Sequence, residues 1–163
     1  MAGPLNTTNS VKAKVHNQVA FDEGEALEEL EPGQGVVRGD GGFEAAGADS
    51  PTRRVVREQR NPGSRGIEDD ESPLEKTYEP EANVETLGFG SHDQARLLIS
   101  YADVDDDASD DTYGEGDEVG WNANGYLEVL DGDPTDAIGV IAQEDDVEMS
   151  DGDDPTHVLV EFY

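Results

Sequence analysis

Apolar residues come along this chain in short bursts, and turn-forming residues separate one burst from the next. The clearest run spans Tyr113 to Glu144. Val119-Gly-Trp121, Tyr126-Leu-Glu-Val-Leu130 and Ala137-Ile-Gly-Val-Ile-Ala142 are divided by Asn122-Ala-Asn-Gly125 and Asp131-Gly-Asp-Pro-Thr-Asp136. Asn124-Gly125 is a hairpin signal, because a tight two-residue turn needs positive φ and this pair tolerates it. Asp131-Gly132-Asp133-Pro134 is a second break, where proline fixes φ and aspartate bonds back to its own backbone. The pattern predicts three strands, near 118–122, 126–130 and 137–142.

A similar pattern lies 83 residues earlier without a gap. Leu30 falls on Tyr113, Gly33 on Gly116, Val36 on Val119, Gly42-Phe43 on Gly125-Tyr126 and Pro51-Thr52 on Pro134-Thr135. The matches sit where backbone geometry restricts the choice, which suggests a duplicated β unit; turn chemistry alone also enriches these residues. The spacing of an aromatic or leucine, five residues and valine recurs at Tyr78–Val84.

Elsewhere, Asn17–Phe21 reads as a first short strand, and Glu23–Glu31 as a helical turn or a loop. Ala95–Val104 reads as a strand rather than a short helix, because Asp-rich sequence stops it quickly. Thr156–Tyr163 alternates and closes the chain as a strand. Asn61–Asn83 is a long connection rich in Pro, Glu and Ser, of a length often tied to function. The expected fold is mainly all-β: a small barrel or sandwich with two related β units, about 30–60 and 113–143, and long loops. Residues 29–163 would form this domain and residues 1–28 an extended N-terminal arm, small and polar at its start.

Charge changes the picture more than length does. The 163 residues hold 40 acids against 10 bases, a net charge of −30, and residues 97–163 hold 21 acids and no Lys or Arg. Such a field repels phosphates and anionic membranes, so neither nucleic acid nor a membrane is an expected partner. Self-repulsion becomes tolerable at molar salt, where the Debye length falls to about 3 Å. Lysine is confined to Lys12, Lys14 and Lys76. This composition with strand patterns reads as an extreme-halophile protein, against the competing reading of an acidic disordered chain. Cysteine is absent, so no disulfide or thiolate site exists. No apolar run approaches ~20 residues, and the N-terminus lacks a signal-peptide core.

Candidate chemistry is sparse. Arg53, Arg54, Arg57, Arg60 and Arg65 concentrate half of the basic residues in one segment. They either form bidentate contacts with carboxylates of a partner subunit or neutralise this protein's own acids. Trp121 is either core or an interface anchor. Arg38-Gly39-Asp40 resembles an integrin-binding tripeptide but reads as a hairpin turn. A calcium loop beginning at Asp103 would need Gly at its sixth position and Glu at its twelfth; Ala108 and Gly114 stand there. His16, His92 and His157 are scattered, and no zinc, phosphate-loop, dinucleotide or nucleophile-elbow motif occurs. No catalytic residue, metal or cofactor is expected.

Tyr126-Leu-Glu-Val-Leu-Asp-Gly-Asp-Pro-Thr-Asp-Ala-Ile-Gly-Val-Ile-Ala142 resembles the strand–turn–strand of lambda-type head decoration proteins of tailed viruses. Tyr113-Gly-Glu-Gly-Asp-Glu-Val119 is similar to the turn that opens a strand there and in related capsid cement proteins. Thr52–Val84, with Gly66-Ile-Glu-Asp69, looks loosely like a segment of phage structural proteins. The resemblance implies a β-rich virion protein, usually a homotrimer, at three-fold positions on the outer surface of an HK97-like capsid. Its partner would be the major capsid protein. Val11, Lys12, Lys14, Val15, Val19 and Phe21 of the arm would contact it, and the arginines and Trp121 would serve subunit contacts. With the charge added, the virus would infect a halophilic archaeon, and the protein would be made in the host cytoplasm. The competing class is a β-sandwich binding or adhesion module of a halophilic virus or cell surface.

Overall fold

In a computed structural model of the chain, residues 10–16, 18–59, 74–102, 110–130 and 135–163 are described. They form thirteen strands and no helix. β1 (Lys12–Lys14) leads into β2 (Ala20–Ala26), β3 (Val36–Arg38), β4 (Gly42–Ala45), β5 (Arg54–Val56) and β6 (Asn83–Gly88). β2 pairs antiparallel with β6, β6 with β5 and β3 with β4, while β4 lies parallel to β2. A single antiparallel bridge, Gly35 to Val55, brings β5 round to the β3 end and closes an N-terminal barrel.

The rest of the chain repeats this plan. β7 (Gln94–Ile99), β8 (Asp110–Tyr113), β9 (Glu118–Trp121), β10 (Leu127–Val129), β11 (Gly139–Ile141), β12 (Val147–Ser150) and β13 (Thr156–Phe162) follow in order. β7 pairs antiparallel with β13, β13 with β11, β11 with β9 and β9 with β10; β10 returns parallel to β7. Strand for strand, β2–β3–β4–β5–β6 and β7–β9–β10–β11–β13 share one order and one sense at every pairing. The all-β barrel expectation thus holds, and the three strands predicted between 118 and 142 are β9, β10 and β11. Among the described residues β8 and β12 pair only with each other, as a ribbon outside the barrels, anchored by buried Tyr113 and Met149.

Two local readings need correction. Glu23–Glu31 is neither helical turn nor simple loop, because β2 runs through Ala26 and pairs with β6 across its length. The β9–β10 hairpin turns on three residues, Ala123 to Gly125, not two. Asn122 N–H donates to Tyr126 O, Gly125 alone has positive φ (75°), and Asn122 Oδ1 accepts from Asn124 and Tyr126. The β3–β4 hairpin is tighter: Gly39 N–H donates to Gly42 O around Asp40-Gly41. The Asp131–Pro134 turn lies outside the described residues.

Each barrel has its own interior. Ala26, Leu30, Val36, Phe43, Val56, Tyr78 and Val84 fill the N-terminal one, with Leu30 and Tyr78 bonded to each other through their backbones. Strand alternation sends Val55 and Leu87 to the opposite face, where they join the C-terminal core of Leu97, Val119, Trp121 and Val160. Phe89 stacks on Phe162 at 5.4 Å between centroids, continuing the contact between barrels. Trp121 is the central bolt. Its indole N–H donates to Thr52 O at 2.9 Å, and its ring lies against Gly35, where a Cβ would come within 2.6 Å of Cε2.

His157 sits at this same junction, its Nε2 2.8 Å from Pro32 O. Burial pulls its pKa below the ordinary value, against the opposing pull of Pro32 O and Glu75. A depressed folded-state pKa favours the neutral ring. Its contribution is therefore complete above the unfolded value and lost as pH falls through the folded one. The stability gap between the native protein and His157→Gln should narrow between about pH 7 and pH 5. Paired denaturant melts at each pH check this; a gap that widens on acidification contradicts it.

Candidate interaction surfaces

The stretch read as an extended arm is described from Ser10 onward, and there it supplies β1 and β2 of the molecule's own sheets. β1 lies antiparallel on β7, Lys12 opposite Ala95 and Lys14 opposite Gln94. Two buried carboxylates clip its ends. Glu58 Oε2 accepts the Val11 N–H at 2.9 Å, and Asp93 Oδ1 accepts the His16 N–H at 2.9 Å while its Oδ2 holds the Gly90 N–H. Val11 is fully buried, and Val15 and Val19 pack on the same core. Lys12 and Lys14 stay exposed, as does Phe21 at 52 %. The six arm candidates therefore divide into three that anchor the segment and three that face outward.

The arginine segment divides too. Arg53 Nη1 donates to Ser91 Oγ at 3.3 Å, and Arg54 Nη1 to Thr86 Oγ1 at 3.0 Å. Burial, then the charge of Arg38, lowers the Arg54 pKa. Arg57 lies over the Phe21 ring, 5.7 Å from its centroid, with Glu58 at 3.7 Å and Glu85 at 3.8 Å. Its Nε is buried without a hydrogen-bond partner among the described residues. Arg60 and Arg65 lie outside the described residues. Trp121 is 1 % exposed and joins the two barrels of one chain, so it presents no surface to another subunit.

Sequence reading missed three participants. Arg38 pairs with Asp22 and lies 5.0 Å over the Phe43 ring. Glu58 and Asp93 had no signal, because among 40 acids nothing in sequence marks these two, or Asp111, as buried. Described cavities are open ones; a dish of about 540 Å³ is lined by Gln59, Glu75, Lys76 and Tyr78. Among the described residues no three His, Cys, Asp or Glu gather as a metal site. The calcium-like stretch from Asp103 to Ser109 lies outside them.

No protein family matches the chain in sequence, and no curated protein does. Its fold is similar to that of the head fiber gp8.5 N base in bacteriophage phi29. The TM-score is 0.52 with 11 % identity, covering 90 % of this chain and 95 % of that one. At this identity the likeness is one of fold, and its extent takes in both barrels rather than one shared module.

Proposed function

We propose that this chain is a structural protein of a virus head, acting by binding rather than by catalysis. The observation that carries the reading is the full-length likeness of its tandem barrels to a phage head fiber base. In its finer form, it decorates the outer surface of an HK97-like capsid in a tailed virus of a halophilic archaeon. It binds the major capsid protein at three-fold positions as a homotrimer, like the lambda-type decoration proteins that Tyr126–Ala142 resembles. Three linked contacts raise effective concentration, so modest single affinities suffice. The exposed arm residues Lys12, Lys14 and Phe21 make the contact, and Val11, Val15 and Val19 hold them in place from within.

Purified protein added to capsids lacking it should bind saturably and raise the force or osmotic shock needed to rupture them. The Lys12→Glu/Lys14→Glu variant keeps the fold, because both side chains are exposed, and should lose at least about tenfold in affinity, ~1.4 kcal/mol. Equal occupancy by this variant would remove the arm from the contact, and absence of any capsid binding would remove the decoration reading.

A further inference from the structure

The two barrels share one plan but not one edge. In the C-terminal barrel β7 is fully used on the side away from β13. Its N–H groups at Arg96 and Leu98, and that of Ser100 just beyond, donate to Val11 O, Gly33 O and Leu127 O at 2.8–3.0 Å. Val11, the residue that leads into β1, supplies the first of these acceptors, because β10 reaches only the far end of β7. β2 is the equivalent strand in the other barrel, and β4 likewise reaches only its far end, at Glu25 and Ala26. Leu27 N–H meets Phe43 O there, as Ser100 meets Leu127. Along Ala20–Gly24, no strand lies on that side among the described residues.

The alternation of antiparallel bonding decides which groups face the gap. Ala26 N–H donates to Ala82 O and Thr86 Oγ1 to Asp22 O, so even-numbered residues of β2 point to β6. Phe21 and Glu23 point the other way. Glu23 stands where Arg96 stands in β7, and among the described residues its N–H is held only by Asp22 Oδ1 at 2.8 Å. Asp22 is itself held by Arg38, which spans the gap from β3. β2 is correspondingly open, with Ala20, Phe21, Glu23 and Glu25 all exposed.

We propose that this edge of β2 accepts an extended segment of another polypeptide, antiparallel, in the position that β1 occupies on β7. Strand addition uses main-chain bonds for affinity and alternate side chains for selectivity. The occupant is cationic at alternate positions. Asp22, Glu23 and Glu25 line the slot; of the arginines near β2, Arg38 pairs with Asp22, while Arg54 is bonded to Thr86 and Arg57 lies over the Phe21 ring, and β1, the strand the fold accepts in the matching slot, carries lysine at both ends. The donor is a different protein rather than a second copy. Each copy holds two slots and one β1, and that strand is already clipped by Glu58 and Asp93.

The probe is a synthetic peptide of residues 10–16, Ser-Val-Lys-Ala-Lys-Val-His, titrated into the full-length protein in molar salt and followed by amide NMR shifts. Shifts should centre on Phe21–Gly24 and Arg38. The same peptide N-methylated at the Ala13 amide should bind at least tenfold more weakly, because that N–H lies, with the Val11 carbonyl, on the edge that faces the slot. Glu23→Pro leaves the β6 ladder intact, since Glu23 N–H does not enter it, and should abolish binding; Glu23→Gln, with an unchanged melt as control, should retain it. Shifts confined to Gln94–Arg96, equal binding by the N-methylated peptide, or no saturation at millimolar peptide would each overturn the proposal. A concentration-dependent oligomer lost in Glu23→Pro without peptide would overturn the assignment of the donor to a different protein.

Discussion

Trp121→Ala is expected to be the most damaging single change in the chain. The side chain is fully buried between the barrels and its indole donates to Thr52 O, while the residue's backbone C=O accepts the Asp49 N–H. Emptying such a site costs about 3–5 kcal/mol from lost transfer and residual cavity. The orphaned Thr52 carbonyl adds to this if water cannot reach it. At about 2–4 °C per kcal/mol for a chain of this size, the melting temperature should fall by about 10 °C or more. Gly35→Ala attacks the same contact from the other side, since its Cβ would lie 2.6–2.8 Å from three indole carbons. Gly125 closes the seat: its carbonyl accepts the Gly35 N–H, and Gln34 Nε2 reaches Asn124 O at 2.7 Å. The double variant should therefore be less destabilised than the sum of the singles, because removing the ring frees the space that the added methyl group needs. Strict additivity in thermal or denaturant melts would show that ring and glycine do not share one packing site.

Removing salt is the second large effect. A net charge of −30 is spread over a chain whose last 67 residues hold no Lys or Arg. Near 0.1 M salt the Debye length is about 10 Å, long enough for carboxylates on neighbouring strands to repel; at 1 M it is about 3 Å. Net stability of a domain is only about 5–15 kcal/mol, so repulsion on this scale competes with the whole of it. Few internal pairs among the described residues offset it, because Lys12 and Lys14 face solvent and the Arg57 partners sit at 3.7 and 3.8 Å. The protein should be folded in about 2 M KCl, lose near-ultraviolet tryptophan signal cooperatively on dialysis below ~0.1 M, and recover it when salt is restored. A melting temperature that stays flat across this range would show that the acidic surface is energetically silent.

The strands that can be read in sequence are those whose alternation reports burial. β9, β10, β11 and β13 carry valine, leucine or isoleucine toward a core and are bounded by glycine, asparagine or proline. β1 gives no such signal, because Lys-Ala-Lys buries nothing of its own and depends on Val11 beside it. β2 is obscured by its charge: Asp22, Glu23 and Glu25 look like loop or helix until β6 is laid against them. β8 and β12 are acidic and, among the described residues, pair only with each other, with Tyr113 and Met149 their large buried side chains. The doubling is visible at 30–60 and 113–143 as a spacing of glycines and valines. Its extension to β2 and β6, and to β7 and β13, is not, because loops of different length break the 83-residue offset on either side. Nor can sequence place Trp121 between the barrels or Val11 in the core, since both depend on contacts distant along the chain. The arginines stand out by their concentration, but their local partners, Ser91, Thr86 and the Phe21 ring, come from β6, the turn after it and β2.

The direct test of the virion-head reading is the protein content of purified particles. Genome-filled heads banded in high-salt gradients should contain this chain in a fixed ratio to the shell subunit, and gold-labelled antibody should mark the outside of the head. A chain found only in the soluble lysate, with banded heads free of it, would contradict the account.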